Sequence, residues 1–517
     1  MALGPAGKVT CMNQALSSRK DRLWPVFAFA LLLSAGVLFF CSKSSPGYPI
    51  NDWCDANIYL TIGKGMSRGL VLYRDLYDHK GPLLYAVHVL AALVSFRSFI
   101  GVYLIEIVQA AFFLFYSYRI LSLFGCRKSA WLLMPVIAVG VFASTSFAQG
   151  DSAEEMCLPL MAAQLYLTLR HFQRGEDTPM PARELVLCGL LAGCVFWIKF
   201  TIIGIPAGLV LGLLLPCVVH KRWKQAFQTL CYLALGAFLS TVPWLIYFGV
   251  NGAIYDWLKV YIGHNLFLYS DALPMTMTER LQIIVRWIGN WLLVNWCYTP
   301  WVIAGPLWLT LRRRQKGMAS SSWLALGVGG FFVFIGAKEY AYYELTLAVL
   351  VPLGACALGF WLEPRLEKLC ARRGAMGGLC AGVSLLCVGL CLLSPNINPN
   401  AGCGFGQDKS ETMAYQIASA MEVDEDTTLL NWGFMDGGFY TAAGIAPTTK
   451  YFCQNNMPLP EMRSMQRRYV GNDLCEYVVT YMDRTKLLEH YELITEAPSP
   501  NFWYPQVYLY RLKEEYR

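Results

Sequence analysis

Asp52 and Asp55 stand close together in a polar stretch, residues 51–82, which reads NDWCDANIYLTIGKGMSRGLVLYRDLYDHKGP. Strongly apolar runs flank it on both sides. A carboxylate at the rim of an apolar cavity can take a proton from a hydroxyl, provided its surroundings set a suitable pKa. Asp55 equally fits a solvated loop acid or the N-cap of a helix over 56–68. Lys80 closes the stretch, and Lys199 occupies a turn with no slack between two apolar runs. A lysine at a membrane boundary either holds a lipid phosphate as a point charge or snorkels to headgroups. A second acidic patch holds Asp151, Glu154 and Glu155. Ser152-x-x-Glu155 has the form of a capping box, which makes Glu155 structural and leaves Glu154 or Asp151 to face a cavity. His264, Lys338 and Tyr343 complete the set, and all these residues map to outer loops or helix ends on one side of the chain. Ionisable groups at a membrane boundary are costly and tend to be functional, so the convergence carries more than any single residue.

The elements that must position these groups are membrane spans. Of 517 residues, 56% are hydrophobic and 15% are charged, against about 25% charged in a soluble domain. The apolar residues fall in blocks of roughly 18–25, long enough for a hydrocarbon core of about 30 Å. The basic residues behind the net charge of +7 lie in short clusters between these blocks, the pattern of cytoplasmic loops rather than of a nucleic-acid surface. Residues 1–23, with Lys8, Arg19, Lys20 and Arg22, are then cytoplasmic. The run Trp24–Cys41 lacks a cleavage site and reads as an uncleaved first helix. Residues 42–82 form the outer loop, and 82–96 form a juxtamembrane helix too short to span. Eleven crossings follow from Lys/Arg sidedness, among them 283–311 as one descending helix, and residues 24–394 make up the membrane domain. The tail, 395–517, is expected to be a small extracytoplasmic α/β domain. Its strands are expected near 427–432, 476–481 and 506–512, and its helices near 462–470 and 485–490.

Several chemistries are excluded. The 18 cysteines show no C-x-x-C spacing and sit mostly inside apolar runs, as small hydrophobes do. Gly63-Lys64-Gly65 with Gly69 has the wrong spacing for a dinucleotide fingerprint and no preceding strand. There is no Walker motif, and the six histidines do not cluster at metal-ligand spacing. No Asn-x-Ser/Thr sequon occurs. The sequence assigns no cofactor, and metal dependence stays open, because carboxylates beside a phosphate can hold a divalent cation.

The first loop resembles that of the GT-C superfamily of polyprenyl-phosphate-sugar-dependent glycosyltransferases. It is closest to the family-39-like group that includes protein mannosyltransferases and the lipid A aminoarabinose transferase. Asp55, Tyr59, Gly69, Tyr73-Arg74-Asp75 and Lys80-Gly81-Pro82 carry the resemblance. The patch from Asp151 to Glu155 resembles the second acidic site of the group, and Lys199 resembles a lysine near the lipid phosphate. His264 resembles a histidine of the later outer loop, and Tyr342-Tyr343 an aromatic pair at the head of a late helix. The resemblance implies a polytopic α-helical GT-C-like membrane protein of about 11 transmembrane helices with the small C-terminal domain outside. It implies inverting transfer of a sugar from a polyprenyl-phosphate donor in the bilayer to an extracytoplasmic hydroxyl acceptor in cell-envelope glycan or glycoprotein synthesis. Asp55, with Asp52, Glu154 and Glu155, supplies catalytic acids. Lys80, Lys199, Arg74 and Tyr343 hold the donor phosphate. Tyr59, Asp151, His264 and Lys338 line the rest of the cavity. A lipid-linked-glycan transporter or flippase is the alternative, but that class favours midplane polar groups and repeated halves. A non-catalytic envelope-assembly protein is the other alternative.

Overall fold

The structure, a computed structural model, describes residues 23–517 apart from 177, 269–274, 313–315, 370–373, 485–487 and 501–504. The basic N-terminal segment and Arg313, Arg314, Arg372 and Arg373 therefore lie outside the described residues. In chain order the helices are α1 Trp24–Cys41, α2 Cys54–Ser67, α3 Pro82–Val94, α4 Ile100–Leu123, α5 Arg127–Phe142, α6 Ala153–Arg174, α7 Ala182–Ile198, α8 Gly204–Val219 and α9 Trp223–Val250. A short helical stretch with a π-turn at Leu258–His264 follows. Then come α10 Met277–Val294, α11 Thr299–Leu311, α12 Lys316–Phe334, a ten-residue 3-10 helix at Ala341–Leu350 running into α13 Val351–Leu369, and α14 Ala375–Leu393.

Among the described residues, 7 helical segments are long and apolar enough to cross a membrane by length and composition. Shorter helices complete the bundle, because their neighbours bury them. α3 has 13 residues, about 20 Å at 1.5 Å per residue, short of the roughly 30 Å core. It packs on α2 so closely that a Cβ at Gly63 would lie 2.5 Å from the carbonyl oxygen of His88. Leu90, Leu93 and Val94 at its far end are exposed.

The expected single helix over 283–311 is two. A capping box at Thr276 and Glu279 starts α10. Pro300, in the first turn of α11, marks a fresh start, since proline lacks the N–H that an interior position needs. Asn295 and Tyr298 sit in the break, where they bond Glu344 and Ser146. α10 thus lies at the site end, with Arg286 paired to Glu339, and α11 alone runs to the opposite end. Arg312 there stacks on Trp308 and Phe360. The same end holds Arg170 and Arg174 around Glu184 at 2.8 and 3.0 Å. Glu363 caps α5 there through the Lys128 and Ser129 amides at 2.9 and 2.8 Å.

The tail folds around one sheet of order β1-β2-β4-β3, with β1 Leu429–Asn431, β2 Tyr477–Thr480, β3 Tyr491–Pro498 and β4 Gln506–Leu512. β1 pairs parallel to β2, and the other pairs are antiparallel. The three expected strands and the helix Pro460–Gly471 are present. β3 was not expected. It is an edge strand, mostly exposed, and acids interrupt its apolar pattern, so period-two burial is weak in its sequence. The helix expected at 485–490 is absent from the described part, 488–490, which forms a turn, and 485–487 lie outside the described residues. The sheet domain sits directly on α2 and the first loop: Tyr77 N–H donates to the Lys450 carbonyl at 3.0 Å, and Thr61 donates to Asp436 at 2.7 Å.

Candidate active site

Asp55 occupies the first turn of α2, one residue inside it. The N-cap is Trp53, which caps with no side chain, so Asp55 is not a capping acid. Its carboxylate is 7% exposed, accepts from Tyr59 OH at 3.2 Å and lies 3.8 Å from Lys80 Nζ. Spacing of four along a helix stacks Asp55 on Tyr59, and Tyr59 turns its ring to the same ammonium at 5.8 Å.

Lys80 is held by its backbone. Tyr73, in a left-handed conformation at φ 65°, donates its hydroxyl to the Lys80 carbonyl at 2.6 Å. Gly81 N–H donates to Ile198 O at 2.9 Å, and a Cβ on Gly81 would lie 2.0 Å from the Trp197 carbonyl oxygen. This close approach welds the end of the first loop to the end of α7, where Lys199 stands. Lys199 is extended between α7 and the turn Phe200–Ile203. Its ammonium donates to Glu154 and sits 3.8 Å above the Tyr343 ring and 5.2 Å from that of Tyr342. Tyr342 stacks edge-on against Trp53 at 5.0 Å, and Trp53 against Tyr59 at 6.3 Å. A continuous aromatic wall therefore joins the Asp55–Lys80 half of the site to the Lys199–Glu154 half.

Lys338 completes a ring of cations. Burial, then the charges of Lys199 and Lys80, push its ammonium down to about 8. Ala337 and Glu339 on either side both hold φ 48°, strained for residues other than glycine.

The second acidic patch divides its labour. Ser152 accepts from the Glu155 amide at 3.0 Å, half of a capping box, but the Glu155 carboxyl does not reach back. It is buried beside Glu106 and Asp151. Asp151 turns its carboxylate to His88 at 3.0 Å and gives its own N–H to Glu106 at 2.8 Å. Burial raises Asp151 despite His88, which pulls the other way. Glu154 is the acid of the patch that meets a site lysine.

Asp52 and Arg74 lie apart. Asp52 is exposed and pairs with Lys43 at 2.7 Å. Arg74 is spent on Asp75 and on the Asn251 carbonyl, each at 2.8 Å. His264 meets Tyr77 OH at 2.9 Å, on the flank of the site. Asp78 and His79 went unnoticed in the sequence, although they adjoin Lys80. Asp78 accepts from Tyr85 OH at 2.5 Å and from Asn455 at 3.3 Å. Burial raises Asp78, but Lys80 and His79 outweigh it and hold the carboxyl well below the usual range. His79 Nε2 is 3.4 Å from Lys80 Nζ. Among the described residues no group of three or more His, Cys, Asp or Glu side chains converges as a metal site.

The buried Asp55 carboxylate thus stands beside Lys80, and an aromatic wall links this pair to Lys199. The carboxylate can accept a proton, and the ammonium groups can hold an anion. Beside Lys80 and Lys199, a groove of about 360 Å³ runs down the bundle between α3, α4, α6 and α7, lined by residues such as Leu83, Val87, Phe112, Leu160 and Ile198.

Comparison of the sequence with models of known protein families finds no match, and no curated protein is similar in sequence. The fold does match solved structures. ArnT from Cupriavidus metallidurans bound to undecaprenyl phosphate superposes with a TM-score of 0.57 at 13% identity, over 94% of this chain and 97% of that one. ArnT in the apo state superposes with a TM-score of 0.54 at 13% identity, over the same shares. The chain has the GT-C fold, in a multi-pass membrane protein with a small C-terminal α/β domain.

Proposed function

We propose that this GT-C chain is an inverting glycosyltransferase that moves a sugar from a polyprenyl-phosphate donor to a hydroxyl acceptor outside the cytoplasm. The carrying observation is the buried Asp55 carboxylate 3.8 Å from Lys80, together with an apolar groove whose lining includes Leu83, three residues after Lys80, and Ile198, the neighbour of Lys199. In this reading the isoprenoid tail lies along Leu83, Val87 and Ile198, and the phosphate rests among Lys80, Lys199 and Lys338. Asp55 takes the proton of the acceptor hydroxyl as its oxygen attacks the sugar carbon. The bond from that carbon to the phosphate oxygen breaks, and the lysines stabilise the charge that grows on the leaving phosphate. Tyr59 and Lys80 keep Asp55 aimed. The fold shared with ArnT in its structure bound to undecaprenyl phosphate supports a lipid-linked donor. The sidedness of the basic clusters supports a plasma-membrane location with the C-terminal domain outside.

Asp55→Asn tests the assignment. Loss of a general base costs about 10²–10⁴ in rate, so single-turnover transfer should fall by that factor. Binding of undecaprenyl phosphate, read by native mass spectrometry, should persist. Unchanged transfer in the variant removes Asp55 as the base.

A further inference from the structure

The first loop and the C-terminal domain leave a cleft of about 780 Å³ between them, within the usual range for ligand sites. Tyr48, Asp52 and Cys54 form one wall, and Glu411, Phe434 and Tyr481 stand on the other. Among the described residues, none from a spanning helix reaches these walls. The floor ends at Cys54, the neighbour of Asp55 in the first turn of α2. Burial and then the Asp55 charge push the Cys54 thiol up to about 12, as expected of a group abutting that carboxylate. Asp55 thus adjoins the cleft through Cys54 and the ring of cations through Lys80. The cleft lining holds the carboxylates of Asp52 and Glu411 and the aromatic rings of Tyr48, Phe434 and Tyr481.

We propose that this cleft binds the acceptor, and that the acceptor is a water-borne saccharide chain; the acceptor role rests on the transferase reading above. The Phe434 and Tyr481 rings, 4.3 Å apart and tilted 54°, offer an apolar face for the C–H face of a pyranose. The exposed carboxylates of Asp52 and Glu411 accept hydrogen bonds from hydroxyls. Among the described lining residues the cation is Lys43, which pairs with Asp52 at 2.7 Å, so this lining carries no cationic excess to recruit a phosphorylated acceptor. A lipid acceptor would need an opening among the spanning helices, which the walls lack. A peptide adding to a strand edge would need free amides. The end of β3 at the cleft instead offers Pro498 and Pro500, which have no N–H, and Ser499, whose N–H is given to Pro505 O at 2.8 Å.

Saturation-transfer NMR on the full chain in nanodiscs, with methyl hexopyranosides and maltotriose as probes, reads the cleft directly. Probe protons should saturate in the wild type and in Asp55→Asn, and saturation should fall by about tenfold or more in Phe434→Ala and in Glu411→Gln. The carboxamide variant alters only an exposed side chain, so it guards against misfolding. No saturation from any probe, or saturation that ignores both variants, overturns the proposal. In whole envelopes, label passed from the donor should enter a protease-resistant polysaccharide. Label in protease-sensitive protein or in organic-soluble lipid overturns the saccharide assignment. A chain that binds the glycosides yet shows no transfer dependent on Asp55 sinks the transferase reading instead.

Discussion

At the scale of single residues, the site is a set of charges that burial has made expensive. Lys199 and Glu154 are 8% and 2% exposed at their side chains and bond one another. Removing one partner of such a pair leaves the other buried and uncompensated, a cost of about 3–5 kcal/mol. Lys199→Met should therefore lower the thermal midpoint in detergent sharply, and the double change with Glu154→Gln should recover most of it. A single variant as stable as the wild type would show that the pair is not buried as described. Lys338 behaves differently, because it is half-buried and its neighbours are cations. With its ammonium near 8 rather than the ordinary 10.5, it carries charge below that pH and loses it above. An anionic donor should accordingly bind more weakly as pH rises through about 8, seen as a rise in donor KM. Lys338→Met should flatten that limb, and Lys338→Arg should move it beyond the alkaline range, since a guanidinium does not titrate there.

At the scale of elements, what matters is how close two pieces of backbone come. Asp55 rides on α2, and Lys80 on the strap before α3. Two glycines let these elements approach: Gly63 against His88, and Gly81 against Trp197. Overpacking costs about 1–3 kcal/mol where neighbours yield, and backbone atoms yield poorly. Gly81→Ala should therefore lower stability and abolish transfer together, by driving Lys80 away from the end of α7, whereas Gly69→Ala meets no neighbouring atom and pays only for its φ of 92°. Equal effects of the two changes on donor binding would refute the role given to Gly81. The break at 295–298 also belongs to this scale. Polar residues inside a long apolar run were legible, yet the run alone did not reveal that Asn295 and Tyr298 leave the helix to bond Glu344 and Ser146.

At the scale of the whole molecule, the C-terminal domain is fastened to the helix that bears Asp55. Lys64, on α2, is fully buried and donates to Thr441 at 3.0 Å. Thr61, one turn earlier, donates to Asp436 at 2.7 Å. Burial pushes Lys64 down to about 7 from 10.5, with Asp436 only partly offsetting it. A lysine lowered in the folded state binds fewer protons there than when unfolded, so folding gains stability as pH rises between these two values. Docking of the domain on α2 should thus tighten between pH 7 and about 9, read as slower hydrogen exchange in 436–443. Lys64→Met should abolish the trend, and a trend of opposite sign would mean that Lys64 is not the titrating group.

Composition and charge sidedness determined the class of this protein, because a hydrocarbon slab imposes length and polarity on every span regardless of its partners. The short helix after Pro82 and three of the four strands were legible because each depends on residues near in sequence; Asp55 and Lys80 were legible as site residues of one loop, but their approach to 3.8 Å was not. The tertiary structure alone decided which of Asp151, Glu154 and Glu155 meets a lysine, that Asp52 and Arg74 stand outside the ring of cations, that Asp78 and His79 stand beside it, and that a second domain closes over the first loop. Those outcomes depend on the direction of a side chain once helices far apart in the chain have packed, and a one-residue rotation of α6 would have changed the acid that faces Lys199 without altering a letter of its hydrophobic pattern.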